Sequence, residues 1–163
     1  MITVGILTMS DKGSRGERED LSGKEIERMI KDLPAEVKAY EIIPDEGDII
    51  KAKLVEFADK KKLDLILTTG GTGVSPRDVT PEATREIIEK ELPGMSEAMR
   101  AESLKKTPNA MISRAVCGIR KQTLIINLPG SPKAVRENLA VVLPAISHTI
   151  EKIKGGTEEC GKM

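Results

Sequence analysis

Apolar residues along this 163-residue chain recur in two alternating rhythms, and the alternation predicts the class of fold. Residues 2–9 are uncharged and mostly apolar, which suits a strand covered on both faces, as in a parallel sheet. Ile26, Met29, Ile30 and Leu33 then fall at i, i+3, i+4 and i+7, the single stripe of an amphipathic helix, and Pro34 stops it. Residues 36–43 alternate loosely and predict a second strand ending at Pro44. Ile50, Leu54, Phe57 and Ala58 mark another helical stripe, followed by a third strand at 63–68. Ala83, Ile87 and Ile88 predict a helix that Thr80 can cap, with Pro81 in its first position. Met95, Ala98 and Met99 suggest a short helix after the break at Pro93-Gly94. Residues 116–119 and 123–128 read as two strands around a turn at Arg120-Lys121, so one sheet member is expected to run antiparallel. Val135, Leu139, Val142, Ile146, Ile150 and Ile153 trace the longest helix, with Pro144 inside it as a kink and Gly155-Gly156 at its end.

Strands alternating with helices imply an α/β/α sandwich with a mainly parallel sheet. One domain is expected over residues 1–155, with a frayed tail at 156–163. In such sheets ligands bind beyond the carboxyl ends of the strands. Four loops fall there: Ser10-Asp11, Pro44-Asp45-Glu46, residues 70–80, and Pro129-Gly130-Ser131-Pro132-Lys133.

Composition narrows the function. Lys+Arg and Asp+Glu both number 26, and this balance argues against a nucleic-acid backbone binder, which carries a basic excess. Cys117 and Cys160 lie far apart without a C-x-x-C, so neither a disulfide framework nor a zinc site is indicated, and a reducing cytoplasm fits best. No secretory leader is read at the N-terminus, and no apolar run approaches a membrane span.

The richest stretch is Thr69-Gly70-Gly71-Thr72-Gly73, followed by Arg77-Asp78-Val79-Thr80-Pro81. Glycines let backbone N–H groups converge on an anion without a Cβ in the way, and Arg77 and Asp78 add both charge signs. A phosphorylated ligand with a cation beside it fits such a loop, and a plain strand-to-helix turn is the alternative. A Walker loop is excluded because no Gly-Lys-[Ser/Thr] is present. The dinucleotide fingerprint is disfavoured because Pro76 stands where a glycine is needed. Taken singly, Asp45 could merely cap the following helix, Asp78 could begin a turn, and Ser131-Pro132 could be an ordinary helix start. Arg100 and Arg114 read as solvated charges, His148 as a packing or surface residue, and Met95, Met99 and Met111 as core filler.

Taken in order, these pieces resemble the molybdopterin adenylyltransferase family of molybdenum-cofactor biosynthesis, the group of MogA, MoaB and the gephyrin G domain. The resemblance spans the chain: Ser10-Asp11, Ile43-Pro44-Asp45-Glu46, the glycine loop through Pro81, Pro93-Gly94, Met99-Arg100 with Ser103, Ser113-Arg114, and the run from Asn127 to Lys133. It implies a three-layer α/β/α sandwich with a mixed, mostly parallel sheet, assembled as a homotrimer or sometimes a hexamer. It implies transfer of AMP from ATP, with Mg2+, to molybdopterin, and hand-over of the product to a molybdenum insertase. Asp45 and Asp78 match the family's two essential aspartates, and as carboxylates on neighbouring strand ends they are the expected holders of the magnesium. Ser10, Asp11, Gly70, Gly71, Thr72, Gly73, Thr80, Ser103, Arg114, Pro129, Gly130 and Ser131 are the corresponding substrate-binding positions. A non-catalytic molybdopterin-binding or scaffold role of the MoaB or gephyrin type is the rival reading; the aspartate pair weighs against it.

Overall fold

The computed structural model describes residues 1–157 and 159; of the tail expected to fray, residues 158 and 160–163 lie outside the described residues. Strands β1 (Ile2–Met9), β2 (Ala35–Ile43), β3 (Leu65–Thr69), β4 (Lys90–Glu91), β5 (Cys117–Arg120) and β6 (Thr123–Leu128) form one sheet in the order β2-β1-β3-β6-β5-β4. β2, β1, β3 and β6 are mutually parallel, whereas β5 runs antiparallel to both of its neighbours. The helices are α1 (Asp11–Ser14), α2 (Leu21–Met29), α3 (Gly47–Val55), α4 (Thr80–Ile87), α5 (Pro93–Leu104) and α6 (Pro132–Ile153).

Side chains alternate across each strand, so one uninterrupted apolar strand feeds two cores. Val4 and Ile6, with Leu65, Leu67, Leu124 and Ile126, face α2, α5 and α6 through Ile26, Met99, Val135, Leu139 and Ile146. Leu7 and Met9, with Ile66 and Ile125, face α3, the turn that follows it and α4 through Ile50, Leu54, Phe57, Ala83 and Ile87. This gives the expected three layers. The chain leaves β1 for β2 on one side, then crosses to β3 on the other, so the carboxyl ends of β1 and β3 flank the topological switch point.

A buried polar tie anchors the region beneath that point. Asn127 in β6 donates from Nδ2 to Thr68 Oγ1 (3.0 Å) and Thr84 Oγ1 (3.1 Å), and its Oδ1 accepts from the Val116 N–H (3.1 Å). It thus links β3, β6, α4 and the approach to β5, with every polar atom satisfied.

The departures from expectation are local. Residues 10–18 open with the helical turn α1 rather than plain loop, because Ser10 caps it by accepting from the Gly13 N–H (2.9 Å). The stripe through Phe57 and Ala58 leaves α3 and continues as a wider π-turn, Glu56–Lys60. β4 is only two residues long and exposed, too short for any periodic signal. The short helix expected after Pro93-Gly94 instead starts at Pro93 itself and spans twelve residues. Met99 is core filler and Met95 packs partly against it, but Met111 is 71% exposed on the 3-10 turn Pro108–Ile112, outside any core.

Gly5 sits in tight packing within the sheet: a Cβ there would lie 2.6 Å from Phe57 Cδ2 and 2.8 Å from Leu63 Cδ1. Gly5→Ala is therefore expected to destabilise the protein by about 1–3 kcal/mol through overpacking. Adding Phe57→Leu, which vacates the contested space, should recover part of that loss. Urea unfolding of the two single variants and the double variant checks this; strictly additive losses would contradict it.

Candidate active site

Four parallel strand ends deliver the site. At the end of β1, Asp11 and Asp45 hold each other: the Asp11 N–H donates to Asp45 Oδ2 (3.1 Å), and the Asp45 N–H donates to Asp11 Oδ1 (3.0 Å). This reciprocal pair locks the exit of β2 to that of β1. Asp45 is not a helix cap, because Glu46 holds the N-cap position of α3 without a side-chain bond. Arg77 reaches across from the glycine loop, its Nε and Nη2 donating to the two Asp11 oxygens (3.1 and 3.0 Å) and its Nη2 also to Glu46 (2.9 Å). A fourth carboxylate, Asp20, caps α2 by accepting from the Gly23 N–H (3.0 Å), and it accepts from Thr8 (2.7 Å) and the Tyr40 hydroxyl as well.

The glycine loop is a strained turn held open by donors on its outer side. Gly70 and Gly71 lie at φ of 95° and 69°, a region closed to most side chains. A Cβ on Gly70 would collide with the Met9 carbonyl oxygen, and one on Gly71 with Thr80 Oγ1. Thr80 is the first residue of α4, not its side-chain cap: its hydroxyl donates to the Gly70 carbonyl (2.9 Å) and its N–H to the Gly71 carbonyl (3.2 Å). Arg114 does the same further along. Its N–H donates to the Thr72 carbonyl (2.8 Å), Nε to Gly73 (2.7 Å) and Nη2 to the Asp78 carbonyl (2.8 Å), while Nη1 pairs with Glu82. With the carbonyls turned outward, the N–H groups of Gly71, Thr72 and Gly73 have no acceptor among the described residues. Gly130 offers another such N–H, beside the α6 terminus that Ser131 caps by accepting from the Ala134 N–H (3.1 Å). Converging free donors are what an anion needs.

Two cavities meet over this loop. The larger, about 1000 Å3, is lined by Ser10, Asp11, Asp45, Gly70, Gly71, Asp78, Gly130 and Ser131, and also by Thr8, Asp20 and Arg77. The smaller, about 400 Å3, is lined by Gly71, Thr72, Gly73, Asp78, Ser103, Pro129 and Gly130, and by Arg100, Glu137 and Asn138. Gly71, Asp78 and Gly130 belong to both and form the junction. Of the catalytic and substrate-binding positions expected from the sequence, only Thr80 and Arg114 line neither cavity. Both brace the loop from its outer side, so Arg114 is not merely a solvated charge. Arg100 is likewise engaged, its Nη1 donating to the Ala115 carbonyl (3.0 Å). Asp20, Glu137 and Asn138 escaped sequence reading. Asp20 had a legible signal in its capping position before Leu21-Ser22-Gly23, whereas the two helix residues had none.

Charge at the site is unbalanced. Burial pushes the Asp45 carboxyl above its ordinary value, and the nearby charges of Asp11 and Asp78 push it further. Asp11 moves the other way, chiefly because the Arg77 guanidinium hydrogen-bonds to it. Asp45 Oδ2 is occupied by a backbone N–H, as is Asp78 Oδ2 by that of Ser75 (3.0 Å), which leaves one oxygen of each carboxylate open. Among the described residues no three His, Cys, Asp or Glu side chains converge as a metal cage.

Residues 5–148 match the family described as "Probable molybdopterin binding domain". A Helicobacter pylori (strain J99 / ATCC 700824) protein named molybdopterin adenylyltransferase is 48% identical over 157 residues, covering 94% of this chain and 89% of the relative. The Escherichia coli (strain K12) protein of the same name is 41% identical over 152 residues, covering 91% and 77%. The crystal structure of the molybdopterin biosynthesis enzyme MoaB from Thermus thermophilus superposes with a TM-score of 0.90 at 54% identity, covering 95% of this chain and 98% of that one. The chain belongs to this molybdopterin-binding family.

The loop glycines separate into two kinds, and alanine substitution should tell them apart. Gly70→Ala combines an unfavourable φ with a clash against the immobile Met9 backbone, so a loss above about 2 kcal/mol is expected. At Gly73, where φ is ordinary, a Cβ would meet only Asp78 Oδ2, at 2.9 Å, and that side chain can swing aside. Gly73→Ala should change stability by about 1 kcal/mol or less while lowering affinity for a phosphorylated pterin sharply. Thermal melts paired with ligand titration check this; unfolding of Gly73→Ala, or normal binding by it, would contradict it.

Proposed function

We propose that this member of the family is a molybdopterin adenylyltransferase: it transfers AMP from MgATP to the terminal phosphate of molybdopterin and releases pyrophosphate. The observation that carries this reading is the junction, where free backbone donors and the half-open Asp78 carboxylate sit between two cavities, with the second half-open carboxylate, Asp45, on the wall of the larger one. One cavity alone would serve a binding protein. Two cavities sharing Asp78, Gly71 and Gly130 suit a reaction that joins two phosphorylated molecules end to end.

In the proposed step a phosphate oxygen of molybdopterin attacks the α-phosphorus of ATP, an oxygen–phosphorus bond forms, and the bond to the β-phosphate breaks. The nucleophile is already an anion at neutral pH, so no general base is needed, in keeping with a site without histidine. What the protein must supply is position and charge compensation. Gly71, Thr72 and Gly73 would receive one phosphate and the Gly130-Ser131 turn the other. Arg77, held over the larger cavity by Asp11 and Glu46, keeps a cation at its mouth. The oxygen-only set of Asp45 and Asp78 fits magnesium, which usually takes one or two carboxylates and completes its shell with phosphate oxygens. When bound, the ion supplies neutralisation of the two approaching polyanions.

The direct test is incubation of the purified protein with molybdopterin, ATP and magnesium. Adenylylated pterin with stoichiometric pyrophosphate supports the reading; tight pterin binding without product supports the scaffold role instead. Asp78→Asn and Asp45→Asn are each expected to cut turnover at least about a hundredfold, and to combine non-additively because they share one ion. Stability should move in the opposite direction. Because the Asp45 carboxyl sits above its ordinary 3.8, ionisation costs the metal-free fold stability as pH rises through that raised value. Asp45→Asn removes this cost, so its melting temperature should gain on wild type between about pH 4 and neutrality. An Asp45→Asn protein that is both inactive and less stable at pH 7 would contradict the account.

We further propose that the enzyme works in the cytoplasm as a homotrimer and passes its product to a molybdenum insertase. Among the described residues no helix is long and apolar enough to cross a membrane. Leu104, Met111 and Ile112 expose apolar surface along α5 and the turn after it, which supports self-association. Light scattering should give three times the chain mass at micromolar concentration, and a monomer there would overturn the assembly.

A further inference from the structure

The smaller cavity has a polarity of its own. Its near end is the junction, with Asp78 and the loop donors. Its far end lies along α6, where Glu137 follows the Ser131 cap by six residues, roughly 9 Å along the helix axis. There Asn138 is buried and internally engaged: Nδ2 donates to the Ala134 carbonyl (2.7 Å), and Oδ1 accepts from Ser103 Oγ (3.3 Å). Asn138 therefore orients Ser103 rather than offering its own amide. Glu137 differs. It is the one carboxylate that lines this cavity alone, it is half-buried, and its sole ion-pair partner among the described residues is Lys106, at a loose 3.6 Å.

A carboxylate accepts only, and with two oxygens it best satisfies two donors side by side. A 2-amino-4-oxopyrimidine ring presents such a pair, its ring N–H and the neighbouring exocyclic amine. Arg100, on the same cavity wall, is a donor-only group that suits the ring's carbonyl oxygen. We propose that Glu137 reads the amino-pyrimidinone edge of the pterin and makes the site selective against rings that carry a 2-oxo group there. This rests on the assignment of the site to molybdopterin. The alternative is that Glu137 serves only as a partner for Lys106, and the two roles separate by substitution.

The experiment is calorimetric titration of the full chain with 6-(phosphooxymethyl)pterin and with its 2-oxo counterpart, 6-(phosphooxymethyl)lumazine. Wild type should prefer the pterin by at least about tenfold. Glu137→Gln, which exchanges one acceptor for a donor that opposes the amine, should bring the two ligands within about twofold of each other, and Glu137→Ala should do likewise. Affinity for MgATP should be unchanged in both. Lys106→Ala should keep the preference. Retention of the wild-type preference by Glu137→Gln and Glu137→Ala overturns the inference, as does an equal loss in Lys106→Ala. If wild type forms adenylylated molybdopterin while the Glu137 variants keep the preference, this inference alone fails. If wild type binds neither phosphorylated ring, the pocket assignment fails with it.

Discussion

Everything at the ligand-facing end depends on how closely the turn after β3 approaches the end of β1. Gly70 rests against the Met9 carbonyl, and Gly71 against Thr80 and Asp45, with no room for a methyl group at either position. This contact sits at the switch point, where the connections after β1 and β3 diverge to opposite faces of the sheet. A side chain there would push the loop out of the crevice, and the free N–H groups of Gly71 to Gly73 would be displaced from the cavities they line. Left-handed backbone is costly unless its surroundings hold it. Here Thr80 and Arg114 do so, by occupying the carbonyls on the outer side of the turn.

The same region shows the usual tension between stability and function. Asp11, Asp45 and Asp78 crowd one wall, and the burial and repulsion felt by Asp45 raise its carboxyl. A protein selected for stability alone would not place them so. Arg77 relieves part of the repulsion through Asp11 but is itself tied by Glu46. Under the proposed function, a divalent ion with the phosphates beside it would offset the remaining imbalance. By contrast, the layer beneath is quiet: Asn127 satisfies all its partners, and Cys117 is buried with its thiol pushed up to about 12, which leaves it unreactive.

Much of this is legible in the sequence alone. The three layers followed from strand runs such as Ile2 to Met9, since only a two-face-buried strand is apolar on both sides, and the antiparallel member followed from the close spacing around Arg120-Lys121. The glycine loop and both aspartates were legible because loop glycines and charges stand out from apolar runs. The misses share a cause. β4 is two residues long and carries no period. Met111 has the composition of a core residue, and only tertiary structure leaves it exposed. Thr80 and Arg114 were placed in the site, but not their grip on carbonyls 9–10 and 36–42 residues away in sequence, contacts that no local pattern announces. Glu137 lies within an ordinary helical repeat, and its orientation toward a cavity depends on how α6 packs on α5.

The mechanism stands or falls on two phosphates from different ligands meeting one ion between Asp45 and Asp78. Phosphorus-31 relaxation in a complex of the protein with Mn2+, AMP and molybdopterin measures this directly, since the paramagnetic ion accepts the same oxygen ligands and broadens nuclei near it. Strong, comparable enhancement is expected at both phosphorus nuclei, lost together in Asp78→Asn. Enhancement of one phosphorus alone, or of both undiminished in that variant, would contradict it.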